Sequence, residues 1–211
     1  LGIQSFLMKT YKKESTYIAY GAHLFDTPNE NILQQYQVEK GNYNMVMARF
    51  EPENNIDMVL EGVALDKENQ TPILVIGKHE TKYGAYLKNK FKDFSNIRFL
   101  GGVYNLEHLN NLRYFSNLYF HGHSVGGTNP SLLEAMASQA LVIAHNNDFN
   151  KGVLKENAYY FSNPEEVKKI LNTVKKIDNL QFVENNYAAI ASTFNWEKIN
   201  EQYLQLFKQC L

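Results

Sequence analysis

Five short apolar runs, each followed by a breaker and then by a stretch of helical spacing, leave this chain few folds to adopt. Asn44 to Phe50 (NMVMARF) reads as a buried strand, as do Pro72 to Ile76 (PILVI), Ile97 to Leu100 (IRFL), Leu118 to Phe120 (LYF) and Leu141 to Ala144 (LVIA). Between them, Ile56 to Leu65, Tyr83 to Phe91, Leu106 to Tyr114 and Pro130 to Gln139 carry apolar residues at helical intervals. A strand with no polar side needs cover on both faces, and a helix between successive strands provides it. The pattern predicts an α/β domain with a doubly wound, Rossmann-like parallel sheet.

The flanks are simpler. A sixth short strand, Tyr159 to Phe161, leads into a helix that Asn163 would cap, with Pro164 first and Glu165 and Glu166 in its first turn. The lysines that follow, Lys168, Lys169, Lys175 and Lys176, read as a solvated helix face. Trp196 to Leu211 is an amphipathic helix. At the other end Leu1, Ile3, Phe6, Leu7 and Tyr11 have helical spacing, Tyr17 to Tyr20 (YIAY) reads as a short strand closed by Gly21, and Asp26 to Asn31 as a connection.

The 211 residues are 44% apolar and 20% charged with a net charge of −1, enough for a proper core and unlike a disordered chain. Near-neutrality provides no global field to gather nucleic acid. The one cysteine, Cys210, has no partner for an internal disulfide, which fits a reducing compartment. No stretch approaches the roughly 20 apolar residues of a membrane span. These features set the expectation of a soluble, cytoplasmic protein, at most peripheral to the inner face of a membrane.

In an open α/β sheet ligands sit beyond the carboxyl ends of the strands. The residues just after each strand are therefore the informative ones: Arg49 to Asn55, Gly77 to His79, Gly101 to Tyr104 and His121 to Asn129. The last loop, with Pro130, reads HGHSVGGTNP. Gly126 and Gly127 allow close approach of backbone, Asn129 is a natural N-cap, and the helix that follows would aim free N–H groups at a phosphate. The alternative is a tight turn before a capped helix. Neither the GxGxxG nor the Walker A pattern is present.

Glu134, four residues into that helix, lies beside the buried stripe. It reads by spacing as a solvated surface carboxylate, or as an acceptor for the two hydroxyls of a ribose. Arg49 is one of three arginines, with Arg98 and Arg113, and is suited either to a diphosphate or to an ion pair with Glu51 or Glu53. His121 and His123 lack a third metal ligand at a recognisable spacing and read as structural histidines. No Asp-x-Asp pair is present to hold a divalent cation.

GGTNPSLLEAMA, Gly126 to Ala137, followed by LVIA, resembles the donor-binding signature of the family-four retaining glycosyltransferases of GT-B fold. ARFEPENNI, Ala48 to Ile56, is similar to that family's arginine loop. The wider HGHSVGGTNPSLLEAMA, with FLGGVY (Phe99 to Tyr104) and YIAYGA (Tyr17 to Ala22), resembles the bacterial rhamnosyltransferase-like branch that builds capsule and other surface polysaccharides.

The resemblance implies a C-terminal, nucleotide-sugar-binding half. Residues 1–26 would be the remnant and linker of a missing N-terminal acceptor domain, and 27–211 the donor domain. Arg49 would neutralise the donor diphosphate, Gly126, Gly127, Thr128 and Asn129 would hold phosphate and sugar, Glu134 would bind the ribose, and the base would lie near Arg98, Phe99 and Leu100. Asn54, Gly77, His123, Ser124 and Leu133 complete the expected contacts. The expected partners are a nucleotide-sugar donor, dTDP-rhamnose being one case, and a glycan or lipid-linked acceptor. No cofactor and no metal are implied. Two positions depart from the family's pattern: Gly126 stands where the first glutamate of E-x7-E would fall, and Asn54 where a lysine follows the arginine. A nucleotide-sugar epimerase and a non-catalytic module that keeps the fold are the competing readings.

Overall fold

The computed structural model describes residues 2–209. Leu1 of the first apolar run, and Cys210 and Leu211 of the tail, lie outside the described residues. Six strands, β1 (Asn44–Met47), β2 (Ile73–Ile76), β3 (Ile97–Gly101), β4 (Leu118–His121), β5 (Val142–His145) and β6 (Tyr159–Phe161), form one sheet in the order β3-β2-β1-β4-β5-β6. All pairings are parallel, with Val46 opposite both Val75 and Phe120. The fold is the expected α/β doubly wound sheet, and the strand order reverses direction between β1 and β4.

Nine α-helices lie among the described residues: α1 (Gly2–Tyr11), α2 (Ile56–Ala64), α3 (Lys82–Lys90), α4 (Leu106–Phe115), α5 (Pro130–Ala137), α6 (Asp148–Leu154), α7 (Pro164–Thr173), α8 (Leu180–Ser192) and α9 (Trp196–Gln209). The strands show why the all-apolar runs were needed. Met45, Leu74, Tyr119 and Val142 point into a core made with α4, α5 and α8, while Val46, Val75, Phe120 and Ile143 point into a second core made with α2, α3 and α7. Burying both faces of each strand is what holds the sheet between two helical layers.

Helix starts follow the capping chemistry. Thr81, Asn105, Asn129, Asn147 and Asn163 each accept a hydrogen bond from the first turn of their helix. At α7 the Asn163 side chain takes the Glu166 N–H while Glu166 Oε2 takes the Ser162 N–H, a reciprocal pair that satisfies two otherwise free donors.

Two expectations are corrected and a third is extended. Tyr17 to Tyr20 is not a strand: pairing in this segment is confined to a single bridge, Ala22 to Asn195, because no neighbouring strand runs beside it. The Asp26 to Asn31 connection runs into a 3₁₀ turn, Glu30–Tyr36, that buries Ile32 and Leu33. Lys176 does not lie on a solvated helix face. It starts the 3₁₀ turn Lys176–Asn179, and its Nζ donates to the Tyr114 carbonyl above the Tyr114 ring. Burial, reinforced by the neighbouring charge of Lys40, pulls its pKa down to about 7.

Candidate functional site

Parallel strands deliver their carboxyl ends to one edge, and the reversal between β1 and β4 leaves a crevice there. Arg49 leaves β1 on one side of it and the loop His121 to Asn129 leaves β4 on the other. Arg49 is exposed and makes no ion pair with a described residue, so the alternative of a bridge to Glu51 or Glu53 is not realised. Its backbone carbonyl accepts from Asn54 Nδ2 at 2.8 Å.

The loop is tied down at its start and open at its tip. Ser124 donates from both its N–H (3.0 Å) and its Oγ (2.8 Å) to the Glu53 carbonyl, and Asn55 Nδ2 donates to the Gly122 carbonyl at 2.7 Å. From Val125 through Asn129 the backbone N–H groups donate to no described protein acceptor, whereas the next, Ser131, is capped by Asn129 Oδ1. A run of free N–H groups leading into the positive end of α5 is a place for a phosphate. Gly126 has φ +129, a conformation suited to glycine, with open space where a side chain would stand. The departure from glutamate at this position is thus matched by the backbone.

The remaining expected contacts divide. Thr128 Oγ1 is 2.6 Å from Tyr17 Oη, and Ile3 of α1 lies 3.7 Å from where a Gly127 side chain would begin, so the N-terminal segment borders the loop. Asn54 is 2% exposed and spends its amide on the Arg49 carbonyl, a tie within the loop that replaces the expected lysine cation. Leu133 is fully buried in the core and anchors α5 to the sheet. Arg98 donates to the carbonyls of Tyr36 and Gln37, so its guanidinium pins the 3₁₀ turn beside β3. Phe99 packs against Phe50, and Leu100 against the core on the other face. Gly77 has a packing reason of its own: a side chain there would begin 2.0 Å from the Ala48 carbonyl oxygen.

His121 and His123 stack, centroids 4.4 Å apart and planes 13° from parallel. His121 is fully buried, and among the described residues neither of its ring nitrogens nor the buried His123 Nδ1 has a hydrogen-bond partner. Burial drives the His121 pKa well below the usual histidine range, with His123 adding to it. Burial, then the charge of Arg49, takes His123 to about 4, against an opposing pull from Glu53. Among the described residues no three His, Cys, Asp or Glu side chains stand together to hold a metal ion.

A stability consequence follows from these imidazoles. Unfolded, both titrate near 6.5; folded, both stay neutral to lower pH, so acidification loads protons onto the unfolded chain first. Their contribution is complete above about pH 6.5 and is lost as pH falls toward 4. Urea unfolding at pH 7 and pH 4.5 should show a loss of at least about 2 kcal/mol, a figure reduced for the partial exposure of His123. The variant His121→Leu should flatten the slope between pH 6.5 and 5; an unchanged slope would remove His121 from the acid sensitivity and leave it to His123 and the carboxylates.

Two residues of the site escaped the sequence reading. Gly122 is required because a side chain would begin 2.1 Å from the Asn54 carbonyl oxygen. Arg113, on α4, has a fully buried side chain whose Nη2 meets Glu134 Oε2 at 2.5 Å. Glu134 is 40% exposed, as its spacing beside the buried stripe implied, but it is half of an ion pair rather than a free surface carboxylate.

A sheet of this order, with an arginine and a glycine-rich loop facing each other where it reverses, is a doubly wound α/β lobe with its crevice at the topological switch point. The chain belongs to the family described as glycosyl transferases group 1, whose pattern matches residues 28–207. Among solved structures, HepE (Alr3699) of Anabaena in complex with UDP is 18% identical, with 98% of this chain matching 61% of that one at a TM-score of 0.84. A glycosyltransferase of Rickettsia africae is 16% identical over 98% of this chain and 61% of its own, TM-score 0.81. The sucrose-phosphate synthase of Thermosynechococcus elongatus is 17% identical over 99% and 56%, TM-score 0.79. At these identities the likeness is one of fold, the C-terminal lobe of GT-B proteins, and the chain spans about three fifths of the length of such structures. No curated protein matches the sequence. Among the described residues no helix is long and apolar enough to cross a membrane.

Proposed function

We propose that this chain is the donor-binding lobe of a retaining glycosyltransferase, which works with a companion lobe that holds the acceptor. The observation that supports it most is the pairing of an arginine that makes no ion pair with a described residue and the open amides Val125 to Asn129 across the β1/β4 crevice, in a member of a glycosyltransferase family. Arg49 neutralises the diphosphate, and the glycine loop with the α5 N-terminus takes its oxygens and the sugar. Glu134 accepts from the ribose hydroxyls. Catalysis by this lobe is electrostatic: charge that develops on the leaving diphosphate meets fixed positive groups in place of a metal ion. The motifs at His121 to Ala137, Phe99 to Tyr104 and Tyr17 to Ala22 favour a rhamnose donor with a glycan or lipid-linked acceptor in surface-polysaccharide synthesis. HepE holds UDP and, in another structure, UDP-glucose, which fits a nucleotide sugar as the ligand class.

Calorimetry with UDP, GDP and dTDP tests the reading, and binding of none of them at millimolar concentration would remove it. Arg49→Ala should weaken the bound nucleoside diphosphate by about 10- to 100-fold, the scale of losing charge-assisted hydrogen bonds, and leave the matching nucleoside nearly unaffected. Equal losses for both would make Arg49 a structural residue.

A further inference from the structure

Arg113 is an expensive residue for its position. Its guanidinium is wholly buried between α4, α5 and the end of β1, where Leu or Met would pack without any desolvation penalty. Nη1 donates to Asn110 Oδ1 (3.1 Å), Nη2 lies 3.3 Å from Met47 Sδ and 2.5 Å from Glu134 Oε2, and Nε has no partner among the described residues. Asn110 Oδ1 is held in turn by the Ser138 hydroxyl at 3.2 Å, and the Tyr119 hydroxyl lies nearby, 3.4 Å from the Ser131 carbonyl. The one anion that faces this buried cation, among the described residues, is therefore a carboxylate that is itself two-fifths exposed at the site. Met47 is the last residue of β1, two before Arg49, so the guanidinium stands directly behind the crevice.

We propose that Arg113 is a positioning residue for the donor nucleotide: it grips Glu134 by Oε2 and leaves Oε1, which has no described protein partner, to receive the ribose hydroxyls. The proposal rests on the ribose role of Glu134 given above. A glutamate on an exposed helix side otherwise samples several rotamers and must be ordered each time a ligand arrives, and that ordering opposes binding. A planar fork fixed by Asn110 on one arm and Glu134 on the other removes this freedom before the ligand comes. A lysine supplies the charge without a planar fork that engages both neighbours at once.

The test compares UDP, GDP and dTDP with their 2′,3′-dideoxy counterparts by calorimetry, using the chain as it is, Arg113→Met, Arg113→Lys and Glu134→Gln, each checked for folding by its thermal transition. The unaltered chain should prefer the hydroxylated form of the nucleotide it binds by about tenfold or more. Arg113→Met should erase most of that preference while affinity for the dideoxy form stays within about twofold, and Arg113→Lys should restore part of it. Adding Glu134→Gln to Arg113→Met should cost little more, since the two act on one contact. A folded Arg113→Met that keeps the full preference, or that loses both ligands equally, overturns the positioning role alone. If Arg113→Met does not fold, Arg113→Lys decides by the same criterion. No preference in the unaltered chain overturns the ribose role of Glu134 itself.

Discussion

Glu134→Ala lowers the unfolding free energy by about 3 kcal/mol, a large cost for a residue whose side chain is 40% exposed. The penalty arises elsewhere, at Arg113, whose fully buried guanidinium loses its ionic partner. Breaking a buried pair by removing one member costs about 3–5 kcal/mol, and the low end applies because the vacated space next to solvent lets water approach Nη2. Urea unfolding at pH 7 measures the effect. The pair of changes Arg113→Met and Glu134→Ala should recover most of the loss, since it removes the stranded charge. A cost below about 1 kcal/mol for Glu134→Ala alone would mean that Arg113 finds its solvation without the glutamate.

Gly77→Ala destabilises the fold by about 3–5 kcal/mol and lowers Tm by roughly 10 °C or more. The added methyl would begin 2.0 Å from the Ala48 carbonyl oxygen and 3.1 Å from the Phe50 ring, and the residue's φ of +151 strains any side chain. The Gly77 N–H also donates to Gly101 at 2.9 Å, so the residue is held from both sides and relief must come from moving β1 or β3. Differential scanning calorimetry checks this. A Tm within 2 °C of the parent would show that the β1 exit yields easily, and the geometry assigned to Arg49 would then be soft.

The strands were legible because the sheet is covered on both sides: a run such as Ile73 to Ile76 has no polar face to confuse with anything else. The helices α6 and α8 were not. DFNKGVL is barely two turns interrupted by Gly152, and α8 buries only Val183, Asn186 and Ile190, too sparse a stripe to stand out among asparagines. YIAY had the composition of a strand, but a strand exists only where a neighbour pairs with it, and no local signal reports the neighbour. At the site, Arg49 and the glycine loop follow their strands immediately and could be found from order alone. Arg113 could not, since an arginine on an amphipathic helix usually snorkels to water and its burial is decided by α5, some twenty residues away.

The ties between the two sides of the crevice have a mechanical meaning. Asn54 holds the Arg49 carbonyl, Asn55 reaches over to Gly122, and Ser124 closes back on Glu53, so the β1 exit and the root of the glycine loop are stitched into one body. A hinge that opened the loop at its root would have to drag Arg49 along with it. Flexibility is therefore pushed outward to the tip, Val125 to Thr128, where amides are unpaired and glycine sits at φ +129. Under the proposed donor role, the separation between the Arg49 backbone and the loop root would act as a fixed gauge, set when the domain folds, that favours ligands of the matching span.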